Sequence, residues 1–437
     1  MGAKKNPEKT AKNAEEKNSH AHAKSHEEKE MHAKAHAEEK PTAEQAVINI
    51  GMVGHVDHGK TSLTQALTGK WTETHSEELK RGISIRLGYA DTTFYKCPNC
   101  RGSEAYSSKS ICPNCGSKTE KLRTISIVDA PGHETLLTTM LSGAALMQGA
   151  ILVIAANEKC PQPQTTEHLM ALKISGIKNL VVAQNKIDLA DKKQALENFV
   201  QIKEFLKANG FENIPIIPVA AHLGTNLDLL IEAIEQHIPT PKFDLEKPFK
   251  LFCIRSFDVN KPGTKISELK GGVIGGSVIQ GKIKIGDKIE IGPGFEGKPL
   301  QTTIKSLSCA QGSLQEARPG GLIGIGTMLD PSLTQNDRMK GQIVSLPGIM
   351  PMPTKKLFLK INFLERFVTS IEKKLKTNDV LVLTIGAMTS LGTVLKEKGN
   401  TAEIDLRVPA TIEKSEKIAV SRKEAGRWRL IGYAVAE

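Results

Sequence analysis

Gly54-His-Val-Asp-His-Gly59-Lys60-Thr61 has the spacing G-x-x-x-x-G-K-[ST], which suits a nucleotide's phosphates. Glycines let backbone N–H groups close around a β-phosphate. Lys60 neutralises β/γ charge, and the Thr61 hydroxyl can ligate Mg²⁺. A second set, Asp129-Ala-Pro-Gly132-His133-Glu134, ends the apolar run TISIVDA. An Asp there can hold Mg²⁺ through water, and the Gly132 N–H can meet a γ-phosphate. A third, Asn185-Lys186-Ile187-Asp188, also ends an apolar run. One carboxylate can accept from both N1–H and the 2-amino group of guanine, whereas adenine would leave it facing a lone pair. In this order the three sets read as a GTPase.

Cys97-Pro-Asn-Cys100 and Cys112-Pro-Asn-Cys115 lie between the phosphate loop and Asp129, separated by eleven residues. Two such knuckles offer four thiolates in a tetrahedron, which suits Zn²⁺ in a closed, structural site. Disulfide pairing is the competing reading. The odd total of seven cysteines, with Cys160, Cys253 and Cys309 single, favours reduced thiols and a cytoplasmic setting.

These residues need a scaffold. AVINIGMV, TISIVDA, AILVIAAN, LVVAQNK and IPIIPVA are short runs rich in Val and Ile, as buried parallel strands are. Helical stretches such as Thr61–Leu67, His168–Ser175 and Asn226–Gln236 lie between them. The alternation predicts an α/β P-loop GTPase domain over 46–243, with a four-cysteine zinc-knuckle insertion at 97–115. IPTPKFDLEKP reads as a linker, and glycine-broken strands follow. They predict one β-barrel domain over 244–350 and, beyond LPGIMPMP, a second over 351–437.

Residues 1–45 differ from the rest. No Val, Ile, Leu, Phe, Tyr or Trp occurs there, so the segment is expected to be a disordered or partly helical charged tail. His22, His26, His32 and His36 form two i, i+4 pairs that could bind a metal weakly if helical. Nine Lys balance nine Glu in residues 1–44, so the net charge of +11 lies downstream. That excess fits either a nucleic-acid partner or a merely soluble basic surface. No apolar run reaches the length of a membrane span, and no membrane partner is expected.

GHVDHGKTSL with DAPGHE resembles the translational GTPases of the elongation factor Tu group. RGISIRLGYA before the cysteines, RSFDVNKPGT, GGVIGGSVIQGKIKIGDKIEI, ARPGGLIGIGT and SRKEAGRWRLIGYA resemble the gamma subunits of archaeal translation initiation factor 2. The likeness runs from about Val47 to Tyr433, and the complete cysteine set is more like archaeal members. It implies a G domain and two β-barrels. It also implies GTP-dependent binding of methionylated initiator tRNA, delivery to the small ribosomal subunit, GTP hydrolysis, and alpha and beta partner subunits.

By that resemblance Asp57, His58, Gly59, Lys60, Thr61, Ser62, Gly132, Asn185, Lys186, Asp188, Ala220, Ala221 and His222 bind GTP or GDP. Arg81–Tyr89 is the first switch, where Ser84 replaces the usual Thr as the hydroxyl that joins Thr61 and, through water, Asp129 around magnesium. Losing the β-branch is expected to loosen the switch. His133 corresponds to the histidine that positions attacking water, with Val56 and Ile83 as an apolar gate. Ala220-Ala221 stands where Ser-Ala is usual; the backbone contact to guanine survives and affinity is expected to fall. Tyr89 corresponds to a tyrosine near the tRNA's aminoacylated end; its alternative is a strand residue packed under the zinc insertion. An elongation-type or selenocysteine-specific carrier of aminoacyl-tRNA is the competing function. A sulfate-activating GTPase subunit and a scaffold with idle nucleotide are more distant ones.

Overall fold

A strand buried on both faces is expected to be largely apolar, and Asn49–Gly54 (β1), polar only at Asn49, is buried at every position. It is followed by the helix Lys60–Thr68 (α1), the strands Gly88–Lys96 (β2), Tyr106–Ser107 (β3) and Glu120–Asp129 (β4), and the helix Leu137–Ala144 (α2). Then come Gly149–Ala155 (β5), Pro163–Ile174 (α3), Leu180–Asn185 (β6), Lys192–Ala208 (α4), Ile216–Pro218 (β7) and Leu227–His237 (α5). The computed structural model describes residues 43–72, 84, 86–133, 136–364, 374–424 and 426–436. The histidine repeats of the tail, Glu134, and residues 81–83 and 85 of the expected first switch, Ile83 among them, lie outside the described residues.

The sheet order is β3-β2-β4-β1-β5-β6-β7. Strands β4, β1, β5, β6 and β7 are parallel, as expected from their apolar runs. Two further strands extend the sheet at one edge, where β2 runs antiparallel to β4 and β3 antiparallel to β2. This edge carries the cysteine insertion, whose chain returns as a hairpin and so needs no helical crossover. Leu63 and Leu67 of α1 pack with Leu230, Ile231 and Ile234 of α5 on one face of the sheet. Leu137 and Leu141 of α2, Leu169 and Leu172 of α3, and Ile202 and Phe205 of α4 cover the other.

The helix expected at His168–Ser175 begins earlier, at Pro163, where the missing N–H of proline costs nothing. Two further helices, α2 and α4, complete the alternation. In α4 the buried Ile202, Phe205 and Leu206 share the helix with exposed Leu196 and Val200, which blurs its apolar period.

Two closed six-stranded β-barrels follow. The first joins Lys250–Phe257, Val273–Gln280, Lys288–Phe295, Lys298–Cys309, Ile323–Thr327 and Ile343–Ser345, and closes between Lys288–Phe295 and Lys298–Cys309. The second joins Thr354–Phe363, Val380–Ile385, Met388–Lys398, Thr401–Ala410, Lys417–Glu424 and Arg427–Val435. Closure leaves few unpaired strand edges. Polar contacts tie the barrels to the α/β domain. Asn49 Nδ2 donates to Ser277 Oγ at 2.8 Å, and Arg429 Nη1 to Glu167 Oε1 at 2.9 Å. Among the described residues no helix is long and apolar enough to cross a membrane.

Candidate functional site

The loop between β1 and α1 turns sharply, and the turn selects its residues. Gly59 has φ 86°, and a Cβ there would collide with the Asn185 amide. Asn185 sits at the end of β6. Its Nδ2 donates to His58 O at 2.9 Å, and its Oδ1 accepts from Ala221 N at 3.1 Å. One side chain therefore joins the phosphate loop to the Ala220–Ala221 loop.

Val56, Asp57, Gly59, Lys60, Thr61, Ser62, Trp71, Ser84, Gly132, His133 and Lys186 line a cavity of about 420 Å³ at this end of the sheet. Ligands in open α/β sheets bind beyond the carboxyl ends of the strands, where these loops meet. Lys60 is buried and its Nζ donates to His55 O at 2.6 Å. Gly132 abuts that amine so closely that a Cβ would strike it.

Three hydroxyls and one carboxylate converge. Thr61 Oγ1 donates to Asp129 Oδ2 at 2.9 Å and lies 3.4 Å from Ser84 Oγ. Thr72 Oγ1 donates to the same carboxylate oxygen at 2.7 Å. This set of hard oxygen donors fits a magnesium ion, which keeps several waters and takes few protein ligands. Thr61, Ser84 and Asp129 were expected together; Thr72 and Trp71 were not. They follow α1 with no motif to mark them.

Asp188 is exposed on the single turn Ile187–Leu189, beyond Lys186 in the left-handed region. Ala220 and Ala221 are buried, and His222 is exposed beside them. The His58 ring is wholly buried. Its Nδ1 donates to Val153 O at 3.0 Å, and Nε2 lies 3.4 Å from Glu158 Oε2. Glu158 favours the imidazolium, but burial outweighs it and lowers the pKa to about 4. The ring is therefore not part of the cavity lining, which leaves the His58 backbone for a phosphate.

Tyr89 lies in β2 with its hydroxyl buried and its ring packed against the core face covered by α2 and α3. Burial pushes the phenol well above its usual range, partly countered by Arg255 of the first barrel. It is a strand residue, though not one beneath the zinc insertion, whose small core is Cys97, Ala105 and Cys112 with Cys100 and Tyr106.

All seven cysteines are free thiols. The Sγ atoms of Cys97, Cys100, Cys112 and Cys115 lie within 4.8 Å of one another. Those of Cys97 and Cys115 are 3.4 Å apart, and those of Cys100 and Cys112 3.7 Å. A tetrahedron with Zn–S of ~2.3 Å has sulfur–sulfur edges of about 3.8 Å, so the residues fit zinc. Hydrogen bonds from Ser117 draw the Cys115 thiol down to about 6, whereas its bond to Cys115 pushes Cys100 up. Four adjacent thiols cannot all ionise without a cation among them.

Residues 45–240 match the elongation factor Tu GTP binding domain, 271–345 elongation factor Tu domain 2, and 355–436 the C-terminal part of initiation factor eIF2 gamma. A phosphate-loop sheet followed by two such barrels defines a translational GTPase. Translation initiation factor 2 subunit gamma of Methanocaldococcus jannaschii is 55% identical over 411 residues, covering 91% of this chain and 99% of its own. That of Pyrococcus horikoshii is 52% identical over 409 residues, with 91% and 99% covered. The chain belongs to the family of translation initiation factor 2 gamma subunits, and it is an initiation GTPase. Two solved structures share the fold. A bacterial selenocysteine-specific elongation factor has TM-score 0.69 and 24% identity, with 90% of this chain and 58% of that chain covered. Elongation factor SelB from Methanococcus maripaludis, in complex with a GTP analogue, has TM-score 0.67 and 22% identity, with 89% and 78% covered.

Proposed function

We propose that this chain, with GTP bound, holds methionylated initiator tRNA and delivers it to the small ribosomal subunit. In this reading it acts in the cytoplasm with alpha and beta subunits and hydrolyses GTP as the tRNA is released. The observation that carries the proposal is a short path from nucleotide to barrel. Ser84 lies 3.4 Å from the Thr61 hydroxyl, and two residues on, Arg86 Nη1 lies 3.6 Å from Asp337 Oδ2 in the first barrel. Asp337 also accepts from Arg255 Nε and from Ser256 N. A change at the phosphates is thereby felt where RSFDV leaves the barrel, beside Tyr89.

In this reading Lys60 and the backbone of Asp57–Ser62 hold the phosphates, and Asp188 with the Ala220–His222 loop selects guanine. Thr61, Ser84 and Asp129 would hold Mg²⁺, Asp129 through water; the bound ion would neutralise phosphate charge. His133 orients the attacking water, with Val56 and Ile83 excluding bulk solvent. Tyr89, half-buried, would stand beside the charged tRNA end, and the basic excess would hold the acceptor arm through its phosphates. The test is tRNA affinity in the presence of GTP or GDP. Preference for charged initiator tRNA with GTP supports the proposal. Equal binding of elongator aminoacyl-tRNAs with the partner subunits present replaces it with the elongation-type or selenocysteine-specific reading.

A further inference from the structure

The first glycine of the phosphate loop is fixed from outside the loop. Gly54 has φ 146°, and a Cβ there would strike the carbonyl of Val153. Its N–H donates to Nδ1 of His168 at 3.0 Å, within a buried contact between elements 114 positions apart. His168 is 2% exposed, in the middle of α3. An Nδ1 that accepts carries no proton, so the ring is neutral with its hydrogen on Nε2. Burial, with Lys60, His55 and His58 nearby, keeps it so and lowers its pKa to about 3. The preceding residue, Glu167, is 7% exposed and accepts from Arg429 Nη1 of the second barrel at 2.9 Å. One turn of helix thus grips the phosphate loop at His168 and the barrel at Glu167.

We propose that His168 is a positioning residue for the nucleotide, holding Gly54 in the conformation that opens the phosphate loop, and that the Glu167–Arg429 pair ties this hold to the second barrel. The inference rests on the reading of Gly54–Thr61 as the phosphate site. His168 touches no phosphate; it removes one freedom of the backbone that does. Without an acceptor the buried Gly54 N–H is left unsatisfied, and the loop relaxes to recover a partner. Arg429 acts one step further away, by fixing the helix that carries the imidazole.

Release of a fluorescent GDP from the full-length chain, followed by stopped flow, tests this. His168→Leu, which keeps bulk but offers no acceptor, is expected to release GDP about tenfold faster. His168→Asn places an amide oxygen where Nδ1 stood and is expected to stay within about twofold of wild type. Arg429→Met is expected to release about threefold faster, and His168→Leu with Arg429→Met no faster than His168→Leu alone. Equal impairment of the Leu and Asn variants, or no impairment of either, overturns the positioning role; additive effects overturn the link to the barrel. Should His168→Leu fail to fold, NMR on the ¹⁵N-labelled wild type decides. A coupling across the hydrogen bond between Gly54 N and His168 Nδ1 is expected, and an Nδ1 that carries a proton overturns the proposal. Lys60→Ala serves as control: if it holds GDP as tightly as wild type, the phosphate-site reading itself fails, separately from His168.

Discussion

Thr61 Oγ1 and Asp129 Oδ2 are 2.9 Å apart, although 68 positions separate them in the chain. The pair joins the first turn of α1 to the end of β4, so two motifs that are only suggestive in sequence become one site. Removing the hydroxyl should remove the response to magnesium. Thr61→Ala is expected to bind GTP roughly tenfold more weakly with magnesium present, a loss in the range for a hydrogen bond to a charged group. Chelation should then change little further. Thr61→Ser should restore most of the affinity. A chelator effect as large in Thr61→Ala as in wild type would count against the pairing.

Base choice rests on Asp188. Its carboxylate is exposed on a single turn, so replacement should cost the fold little. Asp188→Asn should weaken GTP by roughly 2–5 kcal/mol, the cost of breaking a paired charged contact. It should strengthen binding of xanthosine triphosphate, whose C2 carbonyl suits an amide donor. Calorimetry with both nucleotides measures the exchange, and an unchanged preference for GTP removes Asp188 from the recognition.

What was legible in the chain follows from how local each constraint is. The parallel strands were readable because burial on both faces favours continuous apolar runs, as along β5 and in the first four residues of β6. The phosphate loop and knuckles were readable because one short segment carries the geometry. Thr72, Trp71 and His168 were not. Trp71 is a cavity wall residue, while Thr72 reaches across to Asp129 and His168 across to Gly54, and none of the three sits at a motif spacing. Asn185 was half legible. Its place in N-K-I-D was plain, but its two-sided brace between His58 O and Ala221 N needed the loops assembled. The packing of the Tyr89 ring against the α2 and α3 face, rather than under the zinc insertion, was not legible from its place in the strand.

The knuckle should be a separate thermodynamic element. Its four sulfurs belong to the β2–β3 edge, while the phosphate loop follows the central β1. One zinc per chain is expected by elemental analysis of protein purified under reducing conditions. Chelation should lower the melting temperature of the insertion, followed by hydrogen exchange of residues 97–115. GTP affinity should change by less than about threefold, since the nucleotide contacts lie on other elements. Protein that folds fully and contains no metal would refute the zinc assignment.

Two buried imidazoles should make the domain acid-sensitive. His58 is lowered to about 4 and His168 to about 3, in both cases chiefly by burial. Unfolded, each titrates near 6.5, so below that pH the unfolded chain takes up protons that the folded chain refuses. Their stabilisation is complete above about 6.5 and is lost as pH falls towards the folded values. By pH 5 each should cost roughly 2 kcal/mol, before most carboxylates begin to titrate. Glu158 beside His58 works the other way, but the lowered pKa shows that burial prevails. Denaturant unfolding at pH 7 and pH 5 measures the difference directly. His58→Asn with His168→Asn should lose about 4 kcal/mol less between those pH values than wild type does. The asparagines keep a donor towards Val153 O and an acceptor towards Gly54 N, so the double variant should remain folded. An identical pH response in the two proteins would show that the imidazoles are not held neutral by the fold.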